Sequence, residues 1–479
     1  MNSIQFLLND QPIHIDFATS AIHPLTTVLK YLRSLNGYKG TKEGCGQGDC
    51  GACTVVVGEP DEKGNMKYQA KNSCLLFLPM LHGKSLITIE GLSKVPGQLH
   101  PAQQVMVDNY GSQCGFCTPG IVMSLFALQK NNTHPTLETI QEHLAGNLCR
   151  CTGYQFIIDA AFQLCNMHVE DYFTVHEEEI LEKLQRLNPD KTSLALRSGD
   201  QVYLKPFTLE EALNFKAEFP HSKIIAGSTD LAVALNKKKA HYQQVIDISD
   251  INELQFCFED HSNYYMGAGT SLEDIKSFCE DRLPSFAEIL KWFGSYQIRN
   301  AATLGGNLGS ASPIGDLLPL LAAYRAKIKL DASDHHRIVE FHDFLKGYHK
   351  TDLRDDELIT MVIIPKPEAH TLIKAYKVSK RKEMDISTVS AAFRLKTDAD
   401  HKITDFSAFY GGMAEMVKNA ASCESFLRGK TWNLENAEKA ATHISSDFTP
   451  LSDARSGEFY RRKAAGNLLL KFFNDHQNL

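Results

Sequence analysis

The sequence GTKEGCGQGDCGACTVVV, residues 40–57, places three cysteines within nine residues, and a further cysteine follows alone at Cys74. The spacing C-x4-C-x2-C-x20-C is typical of the loop that holds a 2Fe–2S cluster by four thiolates. Glycines interleave these cysteines, and glycine tolerates the positive φ angles that a tightly wound ligand loop requires. Structural zinc, the alternative, favours paired C-x2-4-C knuckles. The pattern therefore favours a 2Fe–2S cluster held by Cys45, Cys50, Cys53 and Cys74.

The residues around this loop predict a small domain rich in β-structure. Residues 3–8 and 12–17 alternate in polarity around Asn9-Asp10, which predicts a β-hairpin. Residues 24–35 carry apolar side chains at helical spacing. The β-branched run 54–57 predicts a strand that leaves the loop.

A second group of four cysteines has a different setting. QCGFCTPG (113–120) and GNLCRCTGY (146–154) give the spacing C-x2-C-x31-C-x-C over Cys114, Cys117, Cys149 and Cys151. We expect helices after Pro119, after the N-cap residue Thr136 and over about residues 154–167, with the ligands at helix ends. The single residue between Cys149 and Cys151 is tight for a zinc knuckle. Spacing alone leaves both a second cluster and zinc open.

Composition excludes several classes of protein. The 479 residues carry a net charge of -7 with a pI near 6.3, which gives no electrostatic footprint for nucleic acid. No apolar run approaches the roughly 18 residues of a membrane span. The N-terminus lacks the features of a signal peptide, so we expect a cytoplasmic protein. In that compartment, twelve cysteines indicate metal or redox use rather than disulfides.

Other segments carry little chemistry. Residues 169–197 are acidic and polar and are expected to form a linker, with Glu177–Glu179 facing solvent. No catalytic triad, carboxylate pair or P-loop is found, so no catalytic residue is expected in this chain. The four remaining cysteines are expected to be buried and inert: Cys165, Cys257, Cys279 and Cys423.

Two loops in the second half have the composition of phosphate-binding loops. A strand at 223–225 runs into AGSTDL (226–231), and small residues that open a helix let backbone N–H groups approach a phosphate. The second loop is RNAATLGGNLGSASPIGD (299–316). Either loop alone is also compatible with an ordinary corner of the fold. From about residue 372, strands followed by two helices predict a last α+β domain.

The two cysteine motifs resemble those of one family. QCGFCTPG followed by GNLCRCTGY is similar to the helical 2Fe–2S domain of the xanthine dehydrogenase (molybdenum hydroxylase) family, and GCGQGDCGACTVVV resembles its ferredoxin-like domain. One departure is Gln155-Phe156, where many members have Arg-Pro. The resemblance implies a multidomain α+β fold with these parts: a β-grasp, plant-type ferredoxin-like domain (1–90), a helical 2Fe–2S domain (91–168), the linker (169–197), a vanillyl-alcohol-oxidase-like FAD domain (198–370) and a C-terminal α+β flavoprotein cap domain (371–479).

The same resemblance implies a set of FAD-binding residues. Phe293 would stack near the isoalloxazine ring, Tyr348 would lie near the nicotinamide site, and Gln113 and Cys151 would lie close to a pterin. The residues implied to hold the pyrophosphate and complete the flavin site are Ile224, Ile225, Ala226, Gly227, Ser228, Thr229, Asp230, Leu231, Thr303, Leu304, Gly305, Gly306, Asn307, Ser310, Asp316, Ile359 and Lys377.

The implied function is electron transfer. The chain resembles the small iron–sulfur/FAD subunit of bacterial two-subunit members, which implies a large partner subunit carrying the molybdenum cofactor in an (αβ)2 heterotetramer. Electrons from hypoxanthine or xanthine oxidation on the partner would pass through the two 2Fe–2S clusters to FAD and NAD+. Two alternatives are an equivalent subunit acting on another N-heterocycle, an aldehyde or an aromatic acyl-CoA, and a non-catalytic zinc-binding scaffold. The sequence leaves O2 open as the acceptor.

Overall fold

The computed structural model describes residues 2–95, 97–132, 134–188 and 190–477. The chain divides into two compact units. The first comprises Met1–Asn252 and Gly294–Ala302, and the second comprises Glu253–Phe293 and Thr303–Leu479. Both cysteine-bearing domains and the first part of the expected FAD domain therefore belong to one unit. The outermost domain bounds, Met1 and Leu479, lie outside the described residues.

The first unit begins with a mixed five-stranded sheet of β-grasp type. Its first two strands form the predicted hairpin, with Ser3 opposite Asp16. The first strand then pairs in parallel with a later one, since Leu7 lies opposite Ser85. In spatial order the strands are Gln11–Asp16, Ser3–Leu8, Ser85–Ile87, Thr54–Pro60 and Met66–Asn72. The helices beside them are Val28–Ser34 and Ile89–Leu92.

The second cysteine group lies in a helical region, as predicted. Pro119 lies in the first turn of the longest helix of this region. Proline is tolerated there because N–H groups of the first turn make no hydrogen bond within the helix. Thr136 caps the next helix by accepting a hydrogen bond from the Thr139 N–H. The departure at Gln155-Phe156 leaves the following helix intact. The helices are Pro101–Asp108, Thr118–Asn131, Leu137–Leu144 and Gln155–Cys165.

Much of the segment expected to form a linker, residues 169–197, is helical. Helices Tyr172–Val175 and Glu177–Leu187 occupy it. Phe173, Ile180 and Leu184 are buried in the same apolar core as the helical region. Burial of these side chains stabilises the packing of an otherwise charged segment on this core, because each burial removes a large apolar area from water.

A buried charged cluster fixes the start of this segment. His100 Nε2 lies 2.9 Å from Asp171 Oδ2, and Lys130 Nζ donates to Asp171 Oδ1 at 2.6 Å. Burial alone would raise the pKa of the Asp171 carboxyl. The hydrogen bonds from His100 and Lys130 outweigh this effect and hold that pKa well below its usual range.

We expect Asp171→Asn to lower the free energy of unfolding of the first unit by about 1.5–3 kcal/mol at neutral pH, the range for hydrogen bonds to charged groups. Because the folded-state pKa is depressed, this stabilisation is present above the unfolded pKa of about 3.9 and is lost as the pH falls below it. Chemical unfolding at pH 7 and in acid measures both effects. Glu170→Gln is the matched control, since that side chain is 72% exposed. A difference between Asp171→Asn and wild type that persists unchanged in acid would contradict this account.

The first unit also contains a four-stranded sheet of the expected FAD domain. Its strands, in spatial order, are Leu194–Ser198, Gln201–Lys205, Gln244–Asp247 and Lys223–Ile225. Thr208 caps the helix Leu209–Glu218 in a capping box with Glu211, as its sequence predicts. The other helices here are Thr229–Lys238 and, after the chain returns, Tyr296–Arg299.

The β-grasp sheet joins two apolar cores within the first unit. Successive residues of a strand point to opposite faces. Val55 and Val57 accordingly pack in one core with Leu194, while Val56 packs in the other core with Leu125. The ferredoxin-like sheet thus shares one core with the flavin-side sheet and the other with the helical region.

The second unit holds the remaining FAD-domain elements and the last domain. One five-stranded sheet has the spatial order Cys257–Glu259, Asn263–Gly267, Leu358–Pro365, Lys327–Asp331, His336–Glu340, and a two-stranded ribbon is formed by Leu345–Gly347 and Lys350–Thr351. The helices of this part are Leu272–Cys279, Pro284–Lys291, Leu304–Ser310, Leu317–Ala323 and Phe341–Phe344.

The last domain has the predicted α+β composition. Its antiparallel sheet is Leu372–Val378, Val389–Thr397, Ile403–Gly411 and Lys418–Asn419. The helices are Ala421–Leu427, Leu434–Asp447 and Glu458–Asp475. The four cysteines expected to be inert are buried or half-buried, and burial raises the pKa of each thiol, to about 11 for Cys165 and about 12 for Cys257. Within the described ranges, every helix is too short or too polar to cross a membrane.

Candidate functional site

The first cysteine quartet is arranged as two pairs. Cys53 Sγ lies 3.3 Å from Cys74 Sγ, and both side chains are buried. Cys45 and Cys50 form the other pair, in which the hydrogen bond from Cys50 lowers the pKa of Cys45 to about 5. In a 2Fe–2S cluster each tetrahedral iron binds two bridging sulfides, which leaves two protein thiolates per iron. The two pairs therefore fit the two irons of one cluster.

Backbone N–H groups of the first loop point at sulfur. The Asp49 N–H donates to Cys45 Sγ at 3.2 Å and the Gln47 N–H at 3.5 Å. Gly46 and Gly48 adopt φ angles of 63° and 84°, which the glycines permit without strain. Such N–H groups stabilise negative charge on a thiolate and tune the potential of the group it binds.

The second quartet is also paired but is more exposed. Cys114 pairs with Cys151, and Cys117 pairs with Cys149. Cys114 and Cys151 are exposed, whereas Cys117 and Cys149 are half-buried. Tyr154 has a left-handed backbone with φ 71°, and its hydroxyl accepts from the Cys149 N–H at 2.8 Å. The quartet thus presents one pair to solvent.

The two cysteine loops touch directly. The Leu148 N–H, adjacent to Cys149, donates to the Cys50 carbonyl oxygen at 3.0 Å. One backbone hydrogen bond therefore connects a ligand-bearing segment of the second quartet with a ligand residue of the first.

The loop that opens the helix Thr229–Lys238 is built for close approach of backbone. A Cβ added at Gly227 would lie 1.7 Å from the Ala301 carbonyl oxygen, so only glycine fits there. Lys71, Asn72, Gly227, Gln297 and Ala301 are among the residues that line a small cavity beside this loop. The buried oxygens Asn72 Oδ1 and Gln297 Oε1 have no hydrogen-bond partner among the described residues. A ligand at this loop could therefore contact the backbone around Gly227 and donate hydrogen bonds to the two side-chain oxygens.

The same helix is tied to the first cysteine quartet. Asn236 Nδ2 donates to the Cys74 carbonyl oxygen at 2.8 Å and to the Gly46 carbonyl oxygen at 3.1 Å. The Ser228 hydroxyl donates to the Leu75 carbonyl oxygen. Because this hydroxyl is already hydrogen-bonded, we expect Ser228 to bind a pyrophosphate through its backbone.

The second set of expected flavin residues belongs to the second unit. Thr303 Oγ1 caps the helix Leu304–Ser310 by accepting from the Gly306 N–H at 3.1 Å. Gly305 packs on the chain at Ala268, and a Cβ there would lie 2.8 Å from the Ala268 carbonyl oxygen. Asn307 Oδ1 is buried and has no partner within the described part of the chain, so it is a free acceptor for a ligand.

Asp316 and Lys377 form a buried ion pair. Lys377 Nζ lies 2.7 Å from Asp316 Oδ2 and 2.9 Å from the Trp292 carbonyl oxygen, and the two side chains are 6% and 8% exposed. The Ser387 hydroxyl donates to the other carboxylate oxygen of Asp316. Both carboxylate oxygens of Asp316 thus accept hydrogen bonds from protein donors. The pair therefore stabilises the fold of the second unit.

We expect Lys377→Met to destabilise the second unit by about 3–5 kcal/mol, because it leaves the Asp316 carboxylate buried without a counter-charge. Lys374→Met is the control on the same strand, since its partner Glu288 is 49% exposed and a surface pair contributes about 0–1 kcal/mol. Thermal unfolding of both variants measures the difference. Equal losses from the two substitutions would contradict the assignment of a buried pair.

The remaining expected residues occupy varied environments. Phe293 is half-buried after the helix Pro284–Lys291, Ile359 is buried in a central strand, and Leu304 is fully buried in the core. Gln113 is exposed beside Cys114, and Tyr348 is also exposed. The expected flavin residues 224–231 belong to the first unit, and residues 293 and 303–377 belong to the second.

Four family models match successive parts of the chain. A "2Fe-2S iron-sulfur cluster binding domain" matches residues 13–78, and a "[2Fe-2S] binding domain" matches 88–162. An "FAD binding domain in molybdopterin dehydrogenase" matches 195–367, and a "CO dehydrogenase flavoprotein C-terminal domain" matches 374–476.

Curated relatives agree with these models. Xanthine dehydrogenase from Oryza sativa subsp. japonica is 32% identical over 93% of this chain, and that from Emericella nidulans is 33% identical over 99%. Over nearly its whole length the chain is therefore similar to one part of these xanthine dehydrogenases. It spans only 38% of the length of each of these relatives. Aldehyde oxidase 3 from Rattus norvegicus is 30% identical over 94% of the chain, which itself spans 38% of that relative.

Two solved structures share the fold over a little more than half of this chain. Carbon monoxide dehydrogenase from Hydrogenophaga pseudoflava aligns with a TM-score of 0.54 and 25% identity over 56% of this chain and 94% of that chain. Quinoline 2-oxidoreductase from Pseudomonas putida 86 aligns with a TM-score of 0.53 and 25% identity over 57% and 95%. The predicted fold class is confirmed by these structures and the four family models.

The cofactors that this chain could hold follow from its domains. It contains two regions that match 2Fe–2S-binding domains and one that matches an FAD-binding domain. These matches decide against the zinc-binding scaffold. The paired thiolates fit the two clusters. In the first unit, the close approach of backbone at Gly227 fits a phosphate group of a dinucleotide.

Three connecting residues were missed by sequence reasoning. Asn147 is part of the motif GNLCRC, so the sequence already shows that it lies two residues before the expected ligand Cys149. Asn236 lies two helical turns after Ser228, which puts it near the same helix face. Gln297 has no local signal, because its partners lie about 150 residues away in the chain.

Proposed function

We propose that this chain is the iron–sulfur/FAD subunit of a xanthine dehydrogenase, of the kind that bacteria build as a separate small subunit. It would pass electrons from hypoxanthine or xanthine, oxidised to urate on a partner, to NAD+. The curated relatives named xanthine dehydrogenase support this choice. The Cys45/Cys50/Cys53/Cys74 and Cys114/Cys117/Cys149/Cys151 quartets would hold the clusters.

The observation that carries the proposal is the sequence of contacts through the first unit. The exposed second quartet bonds to the first through Leu148 and Cys50. The first quartet bonds in turn to the helix after the Gly227 loop through Asn236. When bound, the clusters would carry single electrons, and FAD would collect two and deliver a hydride to NAD+. The chain's contribution is to hold these groups in that order and to tune them by N–H donors and burial.

Exposed apolar residues around the second quartet support a partner subunit. Phe116, Leu148, Tyr154 and Phe156 are 47%, 44%, 36% and 48% exposed, respectively, and the first three are next to or bonded to a ligand segment. Clustered exposed apolar side chains mark interaction sites. We assign this face, with Gln113 and Cys151, to a large subunit that carries the molybdenum cofactor in an (αβ)2 assembly. A cytoplasmic location is part of the proposal, since all twelve cysteines are free.

A second candidate is the equivalent subunit of a related molybdenum hydroxylase acting on another N-heterocycle, an aldehyde or an aromatic acyl-CoA. The aldehyde oxidase relative and the quinoline 2-oxidoreductase structure favour it. The residues of this chain do not distinguish between the two candidate functions, because the substrate would bind to the partner subunit.

Co-purification with the partner followed by a substrate assay tests the proposal. We expect xanthine and hypoxanthine to drive NAD+ reduction by the complex. Turnover of another heterocycle or an aldehyde, without activity on purines, would move the assignment to the second candidate. Purine oxidation that reduces O2 but not NAD+ would support the proposed substrate and show that the electron acceptor is O2.

A further inference from the structure

The side chain of Asn147 connects three segments of the first unit. Its Nδ2 donates to the Gly51 carbonyl oxygen and to Thr54 Oγ1, each at 3.2 Å. Its Oδ1 accepts from Ser124 Oγ at 2.7 Å and from Gln297 Nε2 at 2.8 Å. The side chain is buried and each polar atom has two partners, which fixes the orientation of the amide.

The partners of Asn147 join the two cluster-binding loops. Gly51 lies between Cys50 and Cys53 of the first quartet, and Asn147 lies two residues before Cys149 of the second. The hydrogen bond from the Leu148 N–H to the Cys50 carbonyl oxygen runs beside the amide. Side-chain and backbone bonds thus act together between the same two loops.

The packing here leaves no room for the loops to move closer. A Cβ at Gly51 would lie 2.4 Å from the Gly146 carbonyl oxygen. A Cβ at Gly120 would lie 2.1 Å from the Gly51 carbonyl oxygen. The backbones are therefore already in contact, and the hydrogen bonds of Asn147 oppose their separation.

We propose that Asn147 is a positioning residue that would fix the separation of the two clusters when they are bound, so that one electron would pass between them through the Leu148 N–H···O=C Cys50 bond. No bond would form or break in this step, and one electron would leave the second cluster as the first is reduced. This inference rests on the proposed function, because it requires clusters in both quartets. The separation matters because electron tunnelling slows steeply with distance.

The test compares Asn147→Ala with a matched control. Asn131→Ala likewise removes an amide that donates two hydrogen bonds, here to the carbonyl oxygens of Tyr68 at 2.7 Å and Ala127 at 2.8 Å, but away from both cluster loops. Both variants are purified as the assembled complex and reduced with dithionite. The magnetic dipolar splitting between the two reduced clusters is measured by EPR, since it depends on the inverse cube of their separation.

We expect Asn147→Ala to retain the iron and FAD content of the wild type but to show a smaller or broadened splitting and a several-fold slower electron transfer between clusters. Asn131→Ala should keep both wild-type values. Ser124→Ala removes one hydrogen bond that Asn147 accepts and one that Gln297 donates, and it leaves the Asn147 side chain in place. It should show a smaller change in the same direction, so the inference can still be tested if Asn147→Ala loses a cluster.

An unchanged splitting and rate in both Asn147→Ala and Ser124→Ala would overturn the inference. So would equal changes in Asn131→Ala, because they would indicate a general loosening of the unit. A wild-type protein that lacks two cluster signals would instead refute the proposed function, which keeps the two failures distinct.

Discussion

Cys117→Ser is expected to abolish substrate-driven NAD+ reduction while sparing NADH oxidation by an artificial dye that accepts electrons at the flavin. Cys117 is paired with Cys149, and its loss removes one of the two thiolates of an iron position. Loss of an outer partner of a metal ligand already costs about 10–100-fold, so loss of the ligand should exceed that. Steady-state assays in both directions and the EPR signal of each cluster measure the effect.

The control for this prediction is Cys165→Ser. Cys165 is a buried cysteine outside both quartets, and burial raises its pKa to about 11. We expect it to keep both activities and both cluster signals. If Cys117→Ser lost both activities while remaining folded and loaded with FAD, the order of carriers proposed here would be wrong.

Gly227→Ala is expected to remove FAD while leaving both clusters in place. The added Cβ would lie 1.7 Å from the Ala301 carbonyl oxygen, so the loop must move away from the segment that crosses it. Overpacking of this kind typically costs about 1–3 kcal/mol. Because the loop would approach the pyrophosphate through its backbone, its displacement should appear as lost flavin. Flavin absorbance and iron content of the purified complex are the measurements.

Gly457→Ala is the matched control for the glycine substitution. The space around Gly457 is open, because an added Cβ would lie 3.9 Å from the nearest atom, Ser452 Oγ, and its φ of -81° suits alanine. It should bind FAD as the wild type does. Full flavin content and unchanged FAD affinity in Gly227→Ala would refute the role given to this loop.

The local parts of the fold were predictable because their signals are local. Cysteine spacing predicted both quartets, and in the structure their sulfurs lie in pairs. That these pairs bind clusters stays a prediction. Thr136 was predicted as a helix cap because its hydroxyl accepts from an N–H group within the same turn.

The parts that were missed depend on contacts distant in sequence. Residues 169–197 have a polar composition, and the burial of Phe173, Ile180 and Leu184 against a core formed elsewhere was not predicted. The ion pair between Asp316 and Lys377 was not predicted either, because the two residues are 61 positions apart in the chain. The same limit applies to the link between Asn147 and Gln297.

The central claim is that the chain carries two 2Fe–2S clusters and a flavin as one line of electron carriers. EPR and visible absorption during stepwise reduction of the purified complex test it most directly, together with iron and flavin analysis. We predict two distinct iron–sulfur signals, about four irons per chain, and one FAD that bleaches on reduction. A colourless protein that contains zinc, or one with a single cluster signal and no flavin, would contradict the account.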